Sequence, residues 1–101
     1  MSHILLIGFM GAGKSRVGAA LARDLGMGFV DLDRLIEERE GATIPQIFAS
    51  RGEGAFRDAE HAALLSLVDT ASCVVACGGG IVIRDENRAL LRRLGTVVYL
   101  S

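Results

Sequence analysis

Proline occurs once in the 101 residues, at Pro45, and half of the residues are apolar. A chain so poor in proline and so rich in core-forming residues reads as globular and not disordered. An excess of charge of one sign is missing as well. Eleven basic and twelve acidic side chains leave a net charge of −1, which offers no electrostatic footprint for nucleic acid or an anionic membrane. No apolar run approaches the roughly 20 residues that a membrane span needs. The first residues lack a basic-then-apolar leader with a cleavage site, so a cytoplasmic protein is expected. Cysteine appears only at Cys73 and Cys77. Along an extended chain these would lie about 13 Å apart, whereas a disulfide needs Cα atoms within about 7 Å. With His3 and His61 they show no recognisable metal-ligand spacing, and buried free thiols are common. There is no internal repeat, linker or low-complexity stretch, so the length corresponds to a single domain, 1–101, toward the small end for an α/β fold.

Lysine is scarcer still, with one against ten arginines. That lysine closes "GFMGAGKS", residues 8 to 15, which fits G-x-x-x-x-G-K-[ST] through Gly8, Gly13, Lys14 and Ser15. The apolar run His3-Ile4-Leu5-Leu6-Ile7 before it suits a strand buried on both faces. After it, Val17, Ala20, Leu21 and Leu25 recur at helical spacing until Gly26 supplies a stop. Strand, glycine loop and helix in that order form a phosphate cradle, lined by backbone N–H groups and the positive end of the helix dipole. In such a cradle the compact ammonium of Lys14 bridges the outer phosphates and the Ser15 hydroxyl ligates Mg²⁺. Arginine is planar and wider, and would not fill that slot in the same way. The plainer reading, a strand-to-helix turn with an exposed lysine, leaves this combination unexplained.

Further apolar runs and helical stripes alternate along the chain. "MGFVDLD" (27–33) reads as a strand ending in two aspartates, and "RLIEERE" (34–40) as a charged helix stopped by Gly41. Thr43 is a plausible N-cap for a helix carrying Ile44, Ile47 and Phe48. A longer helix follows from residue 53, with Phe56, Ala59, Ala63, Leu64 and Leu67 at core spacing. "CVVAC" is a fully apolar strand closed by Gly78-Gly79-Gly80, a helix covers 86–94, and 96–100 is a last apolar strand. The order β-α-β-α-α-α-β-α-β predicts a parallel sheet with helices on both faces.

In such sheets ligands gather at the carboxyl ends of the strands, where the phosphate loop, "DLD" and "GGG" all converge. Asp31 and Asp33 alternate along an extended chain, so they would share a face and reach one site. The competing reading is a solvated strand end where aspartate favours the following helix N-terminus. Arg57 and Glu60 stand three apart on a helix, close enough for an ion pair that steadies the guanidinium, and a steadied guanidinium is the preferred fork for a carboxylate or phosphate. An ordinary surface pair has the same spacing. Three consecutive glycines cost backbone entropy, which is tolerable where a ligand must approach the main chain.

With these motifs in order at their spacings, the chain resembles the shikimate kinases, small P-loop enzymes of aromatic amino acid biosynthesis. The match lies in "GFMGAGKS", in Asp31-Leu32-Asp33, in "IFxxxGExxFRxxE" from Ile47 to Glu60, and in "GGG". The resemblance implies a three-layer α/β/α fold of the P-loop NTPase type and transfer of phosphate from ATP to shikimate, with Mg²⁺ as cofactor. It places Gly11, Ala12, Gly13, Lys14, Ser15 and Arg16 on the ATP phosphates, with Lys14 and Asp31 catalytic. Ser15 and, through water, Asp31 would hold the metal. Asp33, Arg57, Gly78, Gly79 and Gly80 would bind shikimate, with Glu60 orienting Arg57. It also implies small-molecule substrates, no nucleic acid or membrane partner, and a monomer.

Two departures from the family pattern stand out. Arg16 occupies a position where threonine is usual, and it either adds a phosphate contact or turns to solvent. The chain also stops at Ser101, after a fourth strand, whereas the family continues with a fifth strand, a lid arginine and a second arginine for the shikimate carboxylate. A gluconate-type P-loop kinase and a binding module without turnover are the alternatives. As a separate polypeptide, residues 1–101 are therefore expected to fold marginally, with Thr96 to Leu100 left as an open apolar edge, and to turn over little or no shikimate. A thermal melt and an ADP-release assay on residues 1–101 check this. A cooperative melt with turnover from about 1 s⁻¹ upward would contradict it.

Overall fold

The computed structural model describes residues 2–8 and 13–100. Its strands are β1 (His3–Gly8), β2 (Gly28–Asp31), β3 (Cys73–Ala76) and β4 (Gly95–Leu100). Its helices are α1 (Lys14–Leu25), α2 (Leu32–Glu40), α3 (Ile44–Leu65) and α4 (Asp85–Leu94). The strands form one parallel sheet in the order β2-β3-β1-β4. Every residue of β3 is buried, as its continuous apolar run predicts for a strand covered on both faces. The register pairs Asp31 with Ala76 and Leu6 with Ala76, so β2 and β3 end level with each other two residues before the end of β1.

The pleat sends neighbouring residues to opposite faces. Leu5 and Val75 join the larger core with Leu32 and Ile36 of α2, Ile47, Phe56 and Leu64 of α3, and Leu90 and Leu91 of α4. Leu6 and Val74 face the other way, onto Ala22 of α1 and the partly buried Phe29. Helices therefore cover both faces, α1 on one and α2, α3 and α4 on the other. The core stripe of α1 matches the expected one at Leu21, which packs against this second core, but not at its ends. Val17 and Leu25 are exposed at 43% and 51%, and the buried residues are Gly18 and Ala22. A Cβ at Gly18 would lie 2.6 Å from the Phe29 ring. The helix approaches the sheet along its small residues, a choice that counting large apolar side chains misses.

Buried His3 acts as a pin at the amino end of the sheet. Its Nε2 meets the Leu67 carbonyl at 2.8 Å, and its Nδ1 accepts the Cys73 backbone N–H at 3.0 Å. Both ring nitrogens are thus satisfied in one neutral tautomer, tying β1 to β3 and to the turn after α3. Cys73 and Cys77 are buried free thiols. Among the described residues, no helix is long and apolar enough to cross a membrane.

The two helices expected over 43–69 are realised as α3, broken internally at Gly52. Thr43 caps its start in a reciprocal capping box, with Gln46 Oε1 accepting from Thr43 N at 2.8 Å. Gly52 takes φ 85° and ψ 172°, a region that is essentially glycine's alone. The second half of α3 is consequently aimed independently of the first. We predict that Gly52→Ala destabilises the fold by about 1–3 kcal/mol. Gly54→Ala, at a helical position with open space around its Cβ, should be neutral or stabilising by up to about 1 kcal/mol. Urea unfolding of both variants in the gene's complete product measures the contrast, and equal effects would remove the need for a kink.

Candidate functional site

The carboxyl ends of β1, β2 and β3 open onto a cavity of about 650 Å³. Gly13, Lys14, Ser15 and Arg16 wall it from the start of α1, Asp31 and Asp33 from the β2–α2 junction, and Gly78 and Gly79 from the loop after β3. Gly11 and Ala12 lie outside the described residues. Lys14 Nζ donates to the Gly8 carbonyl at 3.0 Å. Ser15 Oγ donates to Asp31 Oδ2 at 3.0 Å, and Asp31 Oδ1 accepts the Arg34 N–H at 3.4 Å as N-cap of α2. One carboxylate thus links the first turns of two helices.

That arrangement corrects the expected geometry of "DLD". The strand ends at Asp31, and α2 begins at Leu32. The two aspartates therefore do not alternate along an extended chain. Asp31 is the cap and Asp33 belongs to the first helical turn, which brings both to the cavity by a different route. The side chain of Leu32 is fully buried, and this anchors the turn.

Gly78 and Gly80 have a reason that the sequence does not show. Neither has a positive φ. A Cβ on Gly78 would come within 2.9 Å of Asp33 Oδ1, and one on Gly80 would overlap the Arg57 guanidinium, with Cζ at 2.7 Å. The ends of the protein's own acid and base thus occupy the space beside Gly78 and Gly80, while Gly78 and Gly79 line the cavity, where close approach of a ligand was expected. Arg57, Glu60 and Gly80 are not in the cavity wall itself; they form the cluster beside it. Arg57 Nη1 pairs with Glu60 Oε1 at 3.1 Å, with only 14% and 1% of the side chains exposed. The Arg57 Cζ lies 5.1 Å from the centre of the Phe56 ring. Arg57 Nε is buried without a hydrogen bond, while Glu53 Oε2 stands 3.5 Å away as an exposed ion-pair partner. A buried donor left unsatisfied is costly, so the guanidinium has capacity for a further acceptor.

Electrostatics at this edge run against ionisation. Burial pushes the Asp33 carboxyl above its usual range, with the charges of Asp31 and Glu37 adding to it, against the pull of Lys14 and Arg57. Glu60 is also raised, by burial that outweighs its hydrogen bond to Arg57. Cys77 is pushed up to about 12, first by burial and then by the Glu60 and Asp33 charges, so its thiol is neutral and unreactive. Arg16 is exposed at the cavity wall. Arg34, Glu37 and Cys77 also line the cavity but were not among the sequence candidates. The i,i+4 spacing of Asp33 and Glu37 was the available signal, because it places both on one face of α2. Among the described residues no group of three or more His, Cys, Asp or Glu side chains could hold a metal ion.

Comparison with known proteins gives one consistent result. The family description "Shikimate kinase" matches residues 10–101. A shikimate kinase of Marinomonas sp. (strain MWYL1) is 51% identical over 100 residues, covering 97% of this chain and 55% of that protein. The structure of shikimate kinase from Acinetobacter baumannii in complex with shikimate superposes with a TM-score of 0.95 at 46% identity, covering 99% of this chain and 56% of the other. A gluconokinase from Sinorhizobium meliloti 1021 superposes over 97% of this chain and 55% of its own, with a TM-score of only 0.58 at 25% identity. That gap disfavours the gluconate-type alternative. The chain spans little more than half the length of the relatives it matches.

The raised carboxyls make a prediction about pH. An acid whose folded pKa lies above its unfolded value costs stability once it ionises, and the cost vanishes below the unfolded pKa. Asp33→Asn should therefore raise the melting temperature near pH 7, and the gain should fade as pH drops toward the ordinary aspartate value of 3.8. Thermal melts from pH 3.5 to 8 on the gene's complete product test this. A gain that persists at the acid end would show that charge is not its source.

Proposed function

The chain belongs to the shikimate kinase family, and from that premise we propose that its one P-loop kinase-like domain, 1–101, carries the ATP and shikimate sites of an enzyme that makes shikimate 3-phosphate. The supporting observation is that Lys14, Ser15, Asp31, Asp33, Gly78 and Gly79 wall a single cavity. The nucleotide phosphates lie along the backbone of Gly11, Ala12 and Gly13, at a helix N-terminus that favours anions. Lys14 exchanges the Gly8 carbonyl for the outer phosphates, and Arg16 either adds a phosphate contact or turns to solvent. Ser15 Oγ and Asp31 Oδ2, 3.0 Å apart, are hard oxygens that suit Mg²⁺, and these two residues would hold it. Bound there, Mg²⁺ would supply charge neutralisation on the phosphates.

Asp33 accepts hydrogen bonds from the shikimate ring hydroxyls, Arg57 forks onto the carboxylate, and the main chain of Gly78, Gly79 and Gly80 borders the ring. Glu60 keeps Arg57 oriented. Asp31 sits near the metal and the attacking hydroxyl, and orients that hydroxyl or accepts its proton. The hydroxyl oxygen bonds to the terminal phosphorus, the bond to the bridging oxygen breaks, and ADP leaves. Positioning and charge neutralisation carry most of such a rate. The reading includes a cytoplasmic monomer acting on small molecules, without nucleic acid or membrane partners.

Two substitutions separate the two ligands. Lys14→Met should abolish Mg-ATP binding while the fold persists by circular dichroism; unchanged nucleotide affinity would defeat the phosphate assignment. Arg57→Ala should weaken shikimate binding by about 2 kcal/mol or more and leave ATP binding nearly unchanged. Equal losses for both ligands would indicate misfolding.

A further inference from the structure

Arg84 lies in the segment between β3 and α4, away from the cavity wall, and makes three contacts with one guanidinium. Nη1 donates to Asp58 Oδ1 at 2.6 Å and to Glu86 Oε1 at 3.3 Å, and Nη2 donates to the Gly54 carbonyl at 3.3 Å. Gly54 and Asp58 are four residues apart on the second half of α3, and Glu86 lies in the first turn of α4. A single exposed ion pair would mean little. A planar fork shared between a carbonyl and two carboxylates on two elements fixes an orientation.

The location gives that orientation a consequence. Because Gly52 breaks α3, the half that bears Arg57 is not aligned by the half before it. Arg57 presses against Gly80, which belongs to the same β3–α4 segment as Arg84. The helix half and the glycine segment must hold a fixed distance if the guanidinium is to face the cavity. We infer that Arg84 is a positioning residue that clamps the Arg57-bearing half of α3 to the glycine segment and so sets the affinity for the substrate's carboxylate. This rests on the reading of Arg57 as the carboxylate's partner.

The test uses the gene's complete product and calorimetric titration with shikimate, with its neutral carboxamide analogue and with Mg-ATP. Arg84→Ala is expected to weaken shikimate roughly 2- to 30-fold, the range for a residue acting through a neighbour. It should leave the carboxamide and Mg-ATP within about twofold, the lower edge of that range. Arg84→Lys should recover part of the loss, since an ammonium can still meet Asp58. Asp58→Asn serves as a second variant if Arg84→Ala folds poorly, and is expected to show the same selective loss. Arg57→Ala is measured alongside. If it weakens shikimate while Arg84→Ala and Asp58→Asn do not, the clamp is overturned and the carboxylate reading stands. If Arg57→Ala also has no effect, that reading fails and takes the clamp with it. Equal weakening of all three ligands by Arg84→Ala would reduce Arg84 to a stabilising contact and overturn the proposal.

Discussion

The candidate site depends on β3 being held between β1 and β2. Parallel pairing on both sides fixes its register, and that register levels Asp31 with the end of β3. From there the chemistry follows by short steps. Asp31 caps α2, α2 turns Asp33 inward, and the Asp33 carboxylate takes up the space beside Gly78. A slip of one residue in β3 would exchange Val74 for Val75 between the two cores and carry the glycines away from the acids. The apolar faces of a four-residue strand thus determine where the polar groups meet.

Those polar groups oppose one another by design of position and not of number. Asp31, Asp33 and Glu37 crowd one side of the cavity, with Lys14 and Arg57 set against them. Glu60 is buried beneath Arg57 and raised in spite of it. Desolvation outweighs pairing at both Asp33 and Glu60. Carboxylates held under such conditions lower the stability of the fold once they ionise.

Much of this was legible in the sequence, though unevenly. Strand runs, Thr43 as a cap and Gly26 and Gly41 as stops follow from local chemistry and are present in the fold, whereas β2 gives way to α2 two residues early and α3 ends at Leu65, short of the expected 69. The convergence of Lys14, Ser15, Asp31 and Asp33 was legible from topology, since parallel strands bring their carboxyl ends to one edge. What failed were inferences about which side chain presses on which. Gly18 and Ala22 form the buried stripe of α1 because Phe29, on the next element, occupies the space beside Gly18, a contact that helical spacing alone does not reveal. That Asp33 and Arg57 lie against Gly78 and Gly80 was likewise not legible. His3 reads as the start of an apolar strand, and only its partners at Leu67 and Cys73 reveal the pin. Pairwise contacts across the chain carry no local signature.

The strand order has a consequence on the ribosome. β1 pairs with β3 and β4 but not with β2, and its first partner in the chain is 70 residues further on, as in Ile4 with Val74. At a synthesis rate of about 5–20 residues per second, "HILLIG" spends roughly 4 to 14 s outside the tunnel before the first strand that pairs with it emerges. For that interval an apolar β-forming segment is without the strands that pair with it, open to chance pairing with other exposed strand edges.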